Sequence, residues 1–144
     1  MIDNCVGKII FTGIGKSGLC GAKIAASFSS IGIPSFFLNP IDAYHGLLGV
    51  ISGRDLLVCI SYSGQTEELL RLIRHVKTKV PVICVSGDES SPLATLSGCV
   101  LKICIDSEAD PLKIIPTSSV MAITSSLKKE SLDSVLKVSS NHAE

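Results

Sequence analysis

Residues 55–77 read DLLVCISYSGQTEELLRLIRHVK, and this stretch decides the fold. Residues 55–61 read as a strand whose Leu56 to Ile60 are continuously apolar, the pattern of a strand covered on both faces. Further on, Leu69, Ile73 and Val76 share one helical face, with Glu67, Arg71 and Arg74 on a polar one. Between strand and helix, Ser61, Ser63, Gly64, Gln65 and Thr66 crowd hydroxyls, an amide and a flexible backbone into one junction. An earlier stretch, FTGIGKSG (residues 11–18), has the same construction with Lys16 added.

Working outward, four more apolar runs read as strands: 8–13, 35–39, 81–87 and 100–105. Helical spacing appears over 16–31, where Cys20, Ile24, Phe28 and Ile31 form an apolar face, and over 66–78. Segment 91–97 is a short helix and 117–127 a weaker, hydroxyl-rich one. Strands alternating with helices predict βαβ units with right-handed crossovers. The expected fold is α/β, a three-layer doubly wound domain on a five-stranded parallel sheet, with residues 1–144 as one domain.

Composition removes several classes of function. Thirteen basic side chains balance thirteen acidic ones and tryptophan is absent, so a nucleic-acid footprint is not expected. No run is long enough to span a membrane, and the N-terminus lacks a secretory pattern. The six cysteines are scattered without C-x-x-C pairs or zinc-ligand spacing, so no metal is expected and a reduced, cytosolic chain is.

In open parallel sheets, ligands bind beyond the carboxyl ends of the strands. Both glycine- and hydroxyl-rich junctions stand at such ends and lead into helix N-termini. Unpaired amides and the positive end of the helix dipole favour an anion there, most often phosphate. Lys16, in a first helical turn, opposes that dipole and so asks for an anionic partner. GIGKSG matches G-x-G-x-x-G, which raises a dinucleotide-binding oxidoreductase. That fingerprint wants an acid ending the second strand, where Asn39 and Pro40 stand and Asp42 comes too late. The Walker A spacing is also missing.

Four motifs in this order, GIGKSG, NPIDAYHGLLG, SYSGQTEE and SEADPLKIIPTSS, resemble the sugar-isomerase (SIS) domain, of flavodoxin-like architecture. Within it they are most similar to arabinose 5-phosphate isomerases of the KpsF/GutQ type, over about residues 8–119. The resemblance implies a cofactor-free, homo-oligomeric enzyme that interconverts arabinose 5-phosphate and ribulose 5-phosphate and feeds the Kdo sugar of lipopolysaccharide or capsule. It implies catalytic roles for Lys16, His45, Glu68, Glu108 and His142. It implies substrate contacts from Gly15, Ser17, Ser61, Ser63, Gln65, Thr66, Thr117, Ser118 and Ser119. Against the family pattern the chain is shortened at both ends and lacks a following CBS pair. Leu47 and Gln65 stand where relatives carry acids.

Aldose–ketose isomerisation needs a base, an acid for the oxygens and fixed positive groups for the developing enediolate. Glu108 is the expected base and Lys16 or His45 the electrophile, with the roles exchangeable. A non-catalytic phosphosugar-binding module is the alternative reading. Several of these residues also have plain structural readings. Glu67 and Glu68 suit a helix N-terminus, and Glu67 is spaced to pair with Arg71. His75 suits a helix C-terminus, and the hydroxyls of 117–119 suit an N-cap.

Overall fold

The computed structural model describes Ile2 and residues 5–103. Five strands form one sheet: β1 Ile9–Gly13, β2 Ser35–Phe37, β3 Leu56–Ile60, β4 Val82–Ser86 and β5 Cys99–Lys102. Every pairing is parallel and the order is β2-β1-β3-β4-β5. The helices are α1 Gly15–Ser30, α2 Pro40–Tyr44, α3 Glu67–Val76 and α4 Pro92–Leu96, with a 3-10 turn at Leu47–Val50. The 117–127 helix and the end of the 100–105 strand lie outside the described residues.

All residues of β1, β3 and β4 are buried, as continuous apolar runs require. Successive side chains point to opposite faces. Ile10, Leu57, Cys59 and Cys84 pack with Ala43 of α2, Leu69, Leu72 and Ile73 of α3, and Leu93 of α4. Ile9, Phe11, Val58 and Ile60 pack with Cys20, Ile24 and Phe28 of α1 on the other face. Fully buried Phe28 meets Phe11 edge-on, ring centroids 5.2 Å apart. Truncating it to alanine would cost about 3–5 kcal/mol. α1 lies close on β1: a side chain at Gly18 would stand 2.7 Å from the Gly13 carbonyl oxygen.

β1 and β3 are tied at their amino ends. Asp55, 2 % exposed, accepts from Lys8 Nζ at 2.7 Å, the Lys8 amide at 3.1 Å and the Ser52 amide at 2.7 Å. Burial alone would raise its pKa, but the Lys8 ammonium and these amides outweigh burial and hold it below the ordinary value. A cavity of about 300 Å3 opens beside this tie, lined in part by Cys5, Arg54, Asp55 and Pro81. It lies at the opposite end of the sheet from the two loops.

The structure departs from the sequence reading in places. Strand 35–39 stops at Phe37, because Asn39 caps α2 by accepting from the Ile41 amide at 2.9 Å, with Pro40 at the first helical position. The sequence reading placed no helix over 40–44. Glu67 pairs with Arg74 at 3.4 Å and not with Arg71. Arg71 lies instead over the Tyr44 ring, 4.2 Å from its centroid, because α2 packs against α3 and offers an aromatic face. His75 stands edge-on to the same ring, a structural place as expected.

Cys5, Cys59, Cys84 and Cys99 are free thiols. Cys59 and Cys84 are neighbours across β3 and β4, and both are buried. Burial raises both thiols, Cys59 well above its usual value and Cys84 to about 12 against a smaller opposing effect from a Ser97 hydrogen bond. Among the described residues no helix is long and apolar enough to cross a membrane, and no cluster suits a metal ion.

Candidate active site

Gly13 and Ile60 are register partners in adjacent strands, so the β1–α1 and β3–α3 loops start side by side on the sheet's crest. The chain order changes direction at this seam, the point where open α/β sheets bind ligands. α1 begins without a capping side chain and without an acid in its first turn. Its free amides and dipole are therefore uncompensated by the helix itself. Gly15 at φ +57° turns the chain there, and nothing within 4 Å would meet a side chain on it. Lys16 is exposed and has no hydrogen-bond or ion-pair partner among the described residues; Ser17 beside it is half-buried.

The 61–66 loop is held by its own hydroxyls. Ser61 Oγ and Thr66 Oγ1 are 2.8 Å apart, and the Gly64 amide donates to Ser61 Oγ at 3.2 Å. Each hydroxyl has one proton. Whichever of Ser61 and Thr66 donates to the other, the remaining proton is left for an outside acceptor. Ser61 is 4 % exposed and Thr66 half-buried, so Thr66 is the more accessible of the two. Ser63 is exposed; it accepts from the Gln65 amide at 3.3 Å, which leaves its O–H free to donate. The loop thus offers hydroxyl protons to an anion, and it starts beside the β1–α1 loop that carries Lys16. Glu68, in the first turn of α3, is exposed and unpaired among the described residues.

His45 is the C-cap of α2, its amide donating to the Asp42 carbonyl at 3.0 Å, and its side chain is exposed. α2 lies with α3 on one face of the sheet, whereas α1, which carries Lys16, lies on the other, so His45 follows a helix on the α3 face. Glu108, Thr117, Ser118, Ser119 and His142 lie outside the described residues.

The sequence reading missed the fixtures behind the loop. Gly64 adopts φ +63°, and a side chain on it would overlap Ser91 Cβ and Oγ and lie 3.0 Å from Ser86 Oγ. Leu93 N donates to the Gly64 carbonyl at 3.0 Å, and Ser91 caps α4 by accepting from the Ala94 amide at 3.3 Å. Ser86 Oγ donates to the Tyr62 carbonyl at 3.1 Å. The signal available was SGDESSP (residues 86–92), another hydroxyl-rich strand end on the same crest.

A parallel sheet of this order is the doubly wound, flavodoxin-like arrangement, here with two glycine- and hydroxyl-rich loops at its switch point. The chain belongs to the SIS domain family, whose pattern matches residues 4–129. It is 44% identical over 122 residues to the arabinose 5-phosphate isomerase GutQ of Salmonella typhi, covering 84% of this chain and 38% of that protein. It is 43% identical over 119 residues to the arabinose 5-phosphate isomerase KdsD of Shigella flexneri, covering 82% and 36%. An Escherichia coli CFT073 structure in complex with arabinose 5-phosphate superposes with a TM-score of 0.92 at 33% identity, covering 96% of this chain and 74% of that one. The chain thus spans under two fifths of the length of these two curated relatives.

Proposed function

We propose that this chain is the isomerase domain of an arabinose 5-phosphate isomerase, interconverting that aldose with ribulose 5-phosphate through an enediolate. The observation that carries the reading is the seam itself: unpaired Lys16 at the bare N-terminus of α1, beside the hydroxyl-lined loop of Ser61, Ser63 and Thr66. Its arabinose 5-phosphate specificity rests on the relatives and on the sugar-phosphate complex of the E. coli neighbour.

In this reading the loop hydroxyls and the α1 amides hold the phosphate, with Gly15, Ser17 and Gln65 around it. A glutamate takes the proton from C2 of the open-chain aldose, and the electron pair moves through C1 to leave negative charge on O1. Lys16 or His45 stabilises that charge as an electrostatic donor. Return of the proton at C1 and passage of the C2 hydroxyl proton to O1 give the ketose. Glu68 beside the loop and Glu108 share the candidacy for base. His142 and the 117–119 hydroxyls complete the cast by resemblance. The chemistry needs no redox cofactor. A homo-oligomeric assembly and a supply of Kdo precursors belong to the same reading and rest on the four-motif resemblance.

Incubation with arabinose 5-phosphate in deuterated water tests the proposal. Deuterium should enter the substrate at the carbon beside the carbonyl, ketose should form, and chelators should leave both unchanged. Binding without exchange or turnover would defeat the enzyme reading and leave a phosphosugar-binding module.

A further inference from the structure

We propose that Ser86, at the end of β4, is a positioning residue for the phosphate loop. Its hydroxyl and the Gly87 amide hold the Tyr62 carbonyl toward β4, and this turns the Ser63 amide N–H into the crevice as an oxyanion donor. The inference rests on the phosphate-binding reading of the 61–66 loop.

Ser86 is fully buried, although it is the last residue of β4. Its Oγ donates to the Tyr62 carbonyl at 3.1 Å and accepts from the Asp88 amide at 3.2 Å. The Gly87 amide donates to the same carbonyl at 2.9 Å, so both lone pairs of that oxygen are taken from the β4 side. A trans peptide points its C=O and N–H in opposite directions, and no peptide among the described residues is cis. β3 lies between β1 and β4. A Tyr62 carbonyl held toward β4 therefore sends the Ser63 N–H the other way, to the side where the β1–α1 loop and Lys16 stand. That N–H has no acceptor among the described residues.

The next residue is fixed from the same side. Gly64 donates to Ser61, accepts from the Leu93 amide, and leaves no room for a side chain against Ser86 and Ser91. Ser63 itself stays exposed between two restrained peptides. Without the Ser86 hydroxyl, the Asp88 amide loses its acceptor and the Tyr62 carbonyl keeps only the Gly87 amide, so the 62–63 peptide is held by one bond where it had two. An amide aimed in advance avoids the ordering cost that a mobile one brings to binding.

The test follows the Ser63 amide resonance by NMR while inorganic phosphate or arabinose 5-phosphate is added. The unsubstituted chain is compared with Ser86→Ala and with Ser86→Cys, a similar shape with a weaker donor. In the unsubstituted chain the Ser63 amide should move downfield with either ligand. In Ser86→Ala affinity should fall about tenfold and the Ser63 shift at saturation should shrink, while other amides keep their folded dispersion. Ser86→Cys should be intermediate, and decides the matter should the alanine variant fail to fold. Unchanged affinity and an unchanged Ser63 shift in folded variants would overturn the proposal, even with a lowered Tm. If ligand binds the unsubstituted chain without moving Ser63, the proposal fails and the phosphate reading of the loop stands. If neither ligand moves any loop resonance, both fall.

Discussion

Replacing Gly64 with alanine should destabilise the fold by about 2–5 kcal/mol, from two separable causes. Gly64 holds φ +63°, and an L-residue there costs about 1–2 kcal/mol from its own Cβ. The new methyl would also overlap Ser91 Cβ and Oγ and stand 3.0 Å from Ser86 Oγ. Ser91 caps α4 and Ser86 ends β4, so neither can swing aside without breaking a hydrogen bond. Overpacking of this kind adds about 1–3 kcal/mol. Gly15 supplies the control. It has a similar angle, φ +57°, with nothing within 4 Å of an added Cβ, so Gly15→Ala should show the backbone cost alone. Urea unfolding followed by far-ultraviolet circular dichroism would give both values. Equal losses in the two variants would refute the argument that the β4–α4 groups fill the Gly64 slot.

Other expectations follow from the same contacts. Lys16→Gln removes a cation that opposes the α1 dipole, so stability without ligand should hold or rise by up to about 0.5 kcal/mol, while the rise in Tm with arabinose 5-phosphate should shrink. A full ligand shift in that variant would exclude Lys16 from the site. The Asp55 pKa is lowered in the folded state, so its contribution is complete above the unfolded value of about 3.9 and is lost as pH falls through the folded value. Asp55→Asn should therefore cost about 3 kcal/mol at neutral pH, with its denaturation curve converging on the unsubstituted one below about pH 4; parallel curves would refute the Lys8 tie. Alkylation at pH 8 with site-resolved mass spectrometry should label exposed Cys99 quickly and spare Cys59 and Cys84 until unfolding. Rapid labelling of Cys84 would contradict its burial.

The sequence made the alternation of strands and helices legible because β1, β3 and β4 are covered on both faces and so read as unbroken apolar runs. The crest loops were legible because glycine and hydroxyl residues at a strand end have few other uses. α2 was not, since five residues are too few to show a helical period and only its Asn39–Pro40 start marks it. Arg71 was misplaced because helical spacing knows only neighbours on its own helix, whereas Tyr44 arrives from α2. Ser86 went unnoticed for a related reason. Its partner Tyr62 is 24 residues away, and only the side-by-side placement of β3 and β4 brings them together.

The Lys8–Asp55 tie fastens β1 to β3 at the foot of the sheet, about 15 Å below the crest by the rise of five strand residues. Scaffold and chemistry are thus secured by different amino acids. If Lys16 and Glu68 act as proposed, such crest positions can change, and sugar preference or reactivity with them, without loosening the tie beneath. Such a separation lets descendants of one architecture diverge in what they process while remaining recognisably the same object.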